Sequence, residues 1–113
     1  MSLFTRTAHV DAGSVAERLA DRNVLVIDVR QPAEWRGGHI DGSLNLPLIQ
    51  LACRLHRLPN DRTIVTVCAS GHRSAVAARM LHRAGYQAEN LKGGTRAWTR
   101  AGLALHRARN KPR

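Results

Sequence analysis

The sequence predicts an α/β protein, an open and mostly parallel five-stranded sheet with helices on both faces. Two observations carry that expectation. Short aliphatic runs alternate with helix-period segments from end to end. The two strongest runs, "NVLVIDV" (Asn23–Val29) and "RTIVTV" (Arg62–Val67), lack the in–out polarity of a half-exposed strand, as befits strands covered on both sides.

The elements follow in order. "TRTAHV" (Thr5–Val10) is a short edge strand. Asp11 offers an N-cap to a first helix whose apolar face is Val15, Ala16, Leu19 and Ala20. After the Asn23–Val29 strand, "QPAEWRGG" is one helical turn, with Pro32 suited to its first position and Gly37-Gly38 ending it. "SLNLP" is a brief strand stopped by Pro47. "PLIQLACRLHRL" carries a helical pattern through Leu48, Leu51, Ala52 and Leu55. Beyond the second buried strand, a helix opened by Ser74 turns Ala77, Met80, Leu81 and Ala84 inward and Arg79, His82 and Arg83 outward, and Gly85 stops it. "AENL" is a last short strand, and "GGTRAWTRAG" (Gly93–Gly102) is a terminal helix between glycines. No repeat, linker or low-complexity stretch interrupts the chain. It reads as one domain over residues 1–106 and a basic tail, residues 107–113, expected to be disordered.

Composition narrows the function classes. At 113 residues and 43% hydrophobic content the chain can bury a core without disulfides or metals, and 4% aromatic content makes that core aliphatic. The formal charge is +10, so the surface attracts anions. Its cations are scattered, however, and only "HRARNKPR" (His106–Arg113) is a true cluster. With no aromatic platform and no basic helical stripe, nucleic acid is not the expected partner. Two cysteines, Cys53 and Cys68, make no disulfide framework, and no Cys/His spacing suggests a metal site. No run of apolar residues is long enough to span a membrane, and "MSLFTRTAHV" lacks the apolar core of a signal peptide. A reducing, cytoplasmic setting is expected.

The chemistry concentrates at "CASGHRS". Open α/β sheets place ligands beyond the carboxyl ends of their strands, and Cys68 stands just past such an end. Ala69, Ser70, Gly71 and His72 form a small loop, and Gly71 permits a backbone conformation closed to other residues. If the loop amides point inward they make an anion nest around the sulfur. The positive end of the following helix and the charge of Arg73 add to it. All three stabilise a thiolate, so Cys68 is the candidate nucleophile rather than a small buried hydrophobe.

These residues are similar to a known family. "CASGHRS" resembles the active-site pattern C-x-x-G-x-R-S of single-domain rhodaneses, the thiosulfate sulfurtransferase-like proteins. "VIDVRQPAEWRGGHIDGSLNLP" (Val26–Pro47) and "LKGGTRAW" (Leu91–Trp98) resemble that family's other two signatures, in the family's order, with Ser43 where an alanine is usual. The resemblance spans Val10 to Leu105. It implies a rhodanese-like fold and a ping-pong transfer: Cys68 takes a sulfane sulfur from thiosulfate as a persulfide and yields it to cyanide or a thiol. The partners are then a small anionic donor and a thiophilic acceptor, which can itself be a protein. No metal or organic cofactor is needed. Phosphatases and arsenate reductases of this fold place five residues between cysteine and arginine. Here four separate Cys68 from Arg73, and Ser74 stands where their arginine falls. The same fold and cysteine would also suit a persulfide carrier or redox-sensing module. An inactive interaction domain is the third reading, and the intact loop speaks against it.

Around the loop, Arg73 is expected to serve the donor or the thiolate, and His72 and Ser70 to line the rim. Arg30 is a candidate ligand for an anionic donor. Asp28 and Glu34 are expected to tie neighbouring loops together by ion pairs and hydrogen bonds, and His39 to be structural, since an ionised thiolate needs no general base. Trp35 and Trp98 read as packing residues. Cys53 reads as a buried spectator in preference to a resolving thiol.

Overall fold

The structure, a computed structural model, describes residues 8–107. The start of the expected first strand (residues 5–7) and residues 108–113 of the expected tail lie outside the described residues. Five strands form one sheet: β1 (Ala8–Val10), β2 (Val24–Asp28), β3 (Leu44–Asn45), β4 (Thr63–Val67) and β5 (Ala88–Leu91). Their spatial order is β1-β5-β4-β2-β3, and every pairing is parallel. The helices are α1 (Ala12–Ala20), α2 (Pro32–Gly37), α3 (Leu48–Cys53), α4 (His72–Arg83) and α5 (Gly94–Arg100), with a 3-10 turn at Leu55–Arg57.

Strand side chains alternate between faces, and the two cores follow that period. Val24, Val26, Val65, Val67 and Leu91 pack with Ala12 and Val15 of α1 and Trp98 of α5. Ile27, Val29, Ile64 and Cys68 pack on the other face with Leu51 of α3 and Ala77 and Leu81 of α4. Cys68 thus has the parity of Ile64 and lies under α4. Asp11 caps α1 as expected, its Oδ1 accepting from Ser14 N at 2.8 Å.

Three local expectations need correction. Ala12 rather than Ala20 fills the buried position of α1, because the helix begins at Ala12 and its last residue reaches solvent. Ala52 is exposed, since α3 ends at Cys53 and only Leu51 turns fully inward. Helix α4 opens at His72, not Ser74, with Gly71 as its N-cap at φ +104°. At the end of the expected domain, the N–H and C=O of His106 exchange hydrogen bonds of 2.7 and 2.8 Å with His39 in an antiparallel bridge.

One packing contact places the rest. The first turn of α5 runs against the back of the loop after β4, where Thr95 N donates to Cys68 O at 2.8 Å and Arg96 N to Ala69 O at 3.2 Å. Gly94 makes the approach possible. A Cβ there would fall 2.2 Å from Cys68 O and 2.6 Å from Ala69 C and O, and the residue sits at φ +62°. We expect Gly94→Ala to cost about 3 kcal/mol or more, from backbone overlap plus left-handed strain, read by urea unfolding. A variant of wild-type stability would mean that α5 can shift away from the loop freely.

Candidate active site

The carboxyl ends of β2 and β4 lie side by side, with Asp28 paired to Val67. Cys68 therefore emerges at the centre of the sheet's carboxyl edge. With its carbonyl and that of Ala69 turned back to α5, the loop's N–H groups face forward. Gly71 N lies 3.1 Å from Cys68 Sγ, Ser74 N 3.4 Å and Ser74 Oγ 3.3 Å. The left-handed turn at Gly71 closes the cup, and Cys68 is only 1% exposed. Burial pushes the Cys68 thiol up, but donation from the Ser74 hydroxyl and from the N–H groups of Ser74, Gly71 and Ser70 outweighs it, and the thiol stands below its ordinary value.

The other loop residues take distinct places. Ala69 is half-buried, while Ser70 and His72 form the exposed rim, Ser70 Oγ lying 3.0 Å from His72 Nδ1. Arg73 reaches across to α2 and meets Glu34 in a bidentate pair of 2.8 and 3.0 Å. Nothing in the sequence points to that pairing. Glu34 also accepts from Gln31 N at 3.0 Å, so one carboxylate caps α2 and holds the loop. The Arg73 guanidinium keeps the Glu34 carboxyl down at about 2. A depressed carboxylate contributes at any pH above its unfolded value, so this tie is lost only as pH falls through the acid range toward 2.

Behind this rim lies a buried brace. Asp28 is fully buried and takes Arg30 Nε at 3.0 and 3.1 Å, Nη2 at 2.8 Å and Arg30 N at 3.0 Å. Arg30 Nη2 also donates to Gly38 O, and Arg30 is 6% exposed. Asn45 Nδ2 joins the carbonyls of Asp28 and Arg30 at 3.1 and 3.0 Å. His39 Nδ1 lies 2.8 Å from Trp35 O, and its ring stacks on that of Trp35 at 3.7 Å. Trp98 is core, its Nε1 donating to Ala104 O at 2.9 Å.

Two findings differ from the sequence reading. Cys53 is exposed, not buried, because it is the last residue of the short α3. Asn90, absent from the residues the sequence singles out, is 2% exposed and bonds both the loop and the helix that hold the sulfur. Its only signal in the sequence is a polar residue in a buried strand, shortly before the "GG".

A family profile described as Rhodanese-like domain matches residues 11–101. The chain is 42% identical over 98 residues to a sulfurtransferase of Allochromatium vinosum, covering 85% of this chain and 92% of that one. It is 32% identical over 94 residues to a thiosulfate sulfurtransferase of Shewanella oneidensis, covering 82% and 93% respectively. Several other curated relatives are longer, and the chain spans less than two thirds of them. The crystal structure of a rhodanese-related protein from Thermoplasma volcanium superposes with a TM-score of 0.82 at 29% identity, over 88% of this chain and 97% of that one. On the profile, the identities and the superposition together, the chain belongs to the rhodanese-like sulfurtransferase family.

Proposed function

We propose that the protein transfers a sulfane sulfur from thiosulfate to a thiophilic acceptor through a persulfide on Cys68. The observation that carries this is the set of three donors on one buried sulfur: Gly71 N, Ser74 N and Ser74 Oγ. They favour the thiolate before reaction, and the same amides suit the negative terminal sulfur afterwards, as oxyanion-hole donors suit an oxyanion. In the first half-reaction the Cys68 thiolate attacks the outer sulfur of thiosulfate. A new S–S bond forms, the old S–S bond breaks, and its electron pair leaves on sulfite. In the second, cyanide or a thiolate attacks the terminal sulfur and the electron pair returns to Cys68. Charge balances in both steps, and neither requires a cofactor.

The likeness to a relative named thiosulfate sulfurtransferase supports the choice of donor. Arg73 serves that dianion as the positive charge at the rim. Its field and that of Cys68 reinforce one another, although Glu34 takes both of its Nη groups. Arg30 acts mainly as the brace of the β2 end, given that Asp28 and Gly38 O occupy Nε and Nη2.

Cys68→Ser should abolish transfer in the thiosulfate–cyanide assay while leaving the unfolding curve nearly unchanged, because a serine hydroxyl cannot carry a persulfide. Mass spectrometry of thiosulfate-treated protein should show one added sulfur on Cys68. Added sulfur with very slow thiocyanate formation would instead indicate a carrier. Cys53→Ala should keep full activity, and a loss of about 100-fold in kcat would make Cys53 a resolving thiol. Arg73→Ala should lower kcat/KM for thiosulfate by about tenfold, less at high salt, with partial recovery in Arg73→Lys. No change at low ionic strength would confine Arg73 to its pairing with Glu34.

A further inference from the structure

One of the three donors to Cys68 has a competing partner. Ser74 Oγ carries a single proton. It lies 3.3 Å from Cys68 Sγ and 2.5 Å from Asn90 Oδ1. An amide oxygen only accepts, so with Asn90 in this orientation the one proton is contested: Ser74 donates to Cys68 only when the proton swings away from Asn90, and otherwise turns lone pairs to the sulfur. Lone pairs suit a thiol, whose S–H can donate to Oγ, and they repel a thiolate. The other end of the same amide, Nδ2, lies 3.1 Å from His9 Nδ1 and donates to Gly71 O at 3.3 Å. Gly71 O has a second donor in Ala75 N at 3.1 Å and does not depend on Asn90.

The two ends of a carboxamide are nearly the same shape, so the reverse orientation fits sterically, at the cost of setting Oδ1 against Gly71 O in place of the 3.3 Å hydrogen bond. Turned over, Nδ2 donates to Ser74 Oγ and the serine proton is free for the sulfur. Oδ1 then faces His9 and requires an N–H at Nδ1, which the protonated ring always supplies and the neutral ring supplies only as its Nδ1–H tautomer. Ser74 is fully buried and Asn90 nearly so, and no bulk water can substitute for a missing partner. His9 is exposed to solvent.

We propose that Asn90 is a positioning residue for the nucleophile, directing the one Ser74 proton either to itself or to Cys68, and that a proton on His9 Nδ1 selects the orientation that serves the thiolate. The proposal rests on Cys68 being the nucleophile. In the switch His9 gains a proton from solvent, Cys68 loses one, and Asn90 only rotates. The charged and titratable groups that share the groove of His9 are His72 and Arg79 of α4 and Lys92 after β5. Cys68 faces the field of Arg73, itself paired with Glu34. None of these hydrogen-bonds to Asn90 or to the Ser74 hydroxyl.

The test is thiol reactivity in a Cys53→Ala background, where Cys68 is the only thiol. Iodoacetamide alkylation is followed from about pH 5.5 to 8.5, spanning the histidine range. Ser74→Ala should slow alkylation about tenfold at the acid end, where the hydroxyl donates to the thiolate, and should not slow it at the alkaline end, where that proton goes to Asn90. His9→Phe should slow it about fivefold at the acid end and not at the alkaline end, and should add nothing to Ser74→Ala. An unaltered profile in His9→Phe overturns the proposal. So does a His9→Phe effect that persists without the Ser74 hydroxyl, since that would be a direct field. Should Ser74→Ala not fold, linkage supplies the reciprocal measurement. The His9 ring, followed by NMR, should titrate at lower pH in Cys68→Ala than with the cysteine present, and Asn90→Leu should erase that difference. Equal titration, or a difference that survives Asn90→Leu, is the contrary result. Sulfur transfer is not the readout, so a protein inactive toward thiosulfate could still satisfy every arm.

Discussion

The site depends on which way two peptide groups point. A backbone amide offers its donor and its acceptor on opposite sides, so fixing one fixes the other. By accepting from Thr95 N and Arg96 N, the carbonyls of Cys68 and Ala69 are committed to the rear of the loop. The N–H groups of the same two peptides, those of Ala69 and Ser70, are thereby turned to the front of the loop, and Ser70 N is among the donors that lower the Cys68 thiol. The helix that does this is short, and its leverage comes from proximity. Gly94 lets backbone meet backbone where a Cβ would overlap Cys68 O. A closing segment remote from the cysteine in sequence thereby sets the electrostatics of the cysteine.

Such a nest competes with burial. Removing a sulfur from water favours the neutral thiol, and a cup lined only with Ile27, Val29 and Ala77, its neighbours in the core, would give an inert cysteine. Backbone and hydroxyl donors reverse the outcome without placing a full charge beside the sulfur. The same economy holds one strand away. Asp28 and Arg30 are both buried, and their pairing is completed by Gly38 O and by Arg30 N. Desolvation makes such a pair of small net value, whereas losing either partner leaves a buried charge unmatched. Its role is to hold the turn from β2 into α2, and hence Glu34, in reach of Arg73.

The sequence displayed the architecture because both of its periods are written locally. Aliphatic runs marked β2 and β4, Asp11 marked a cap, and Pro32 and Gly37-Gly38 bounded α2 as found. Cys68 and its loop were legible because strand end, small residues, glycine and helix start are consecutive. Relations between distant segments were not. His9, Asn90 and Thr66 stand in one row across β1, β5 and β4, and only the sheet register puts Asn90 behind Ser74. Likewise nothing local distinguishes Glu34 as the partner of Arg73 from the seven other acids. The exposure of Ala52 and Cys53 had a different origin. The helical period continued through them, but α3 is too short to carry a second inward turn, and the chain passes at Arg54 into the 3-10 turn.

Charge is distributed in a way that separates activation from attraction. Eleven of the 18 Lys and Arg, but only one acid, Glu89, lie from Arg62 onward, and Glu89 is already taken by Arg18. The half of the sequence that builds the loop therefore carries a strong net positive charge. Yet the cation nearest in sequence to the cup, Arg73, is partly neutralised by Glu34. Long-range positive potential attracts anions and weakens with salt. Short-range amide dipoles, fixed by the fold, hold the thiolate and are little affected by salt. If a full charge did both tasks, each change in ionic strength would alter the nucleophile together with the encounter. Divided between surface and backbone, the encounter can vary while the sulfur stays in the same state.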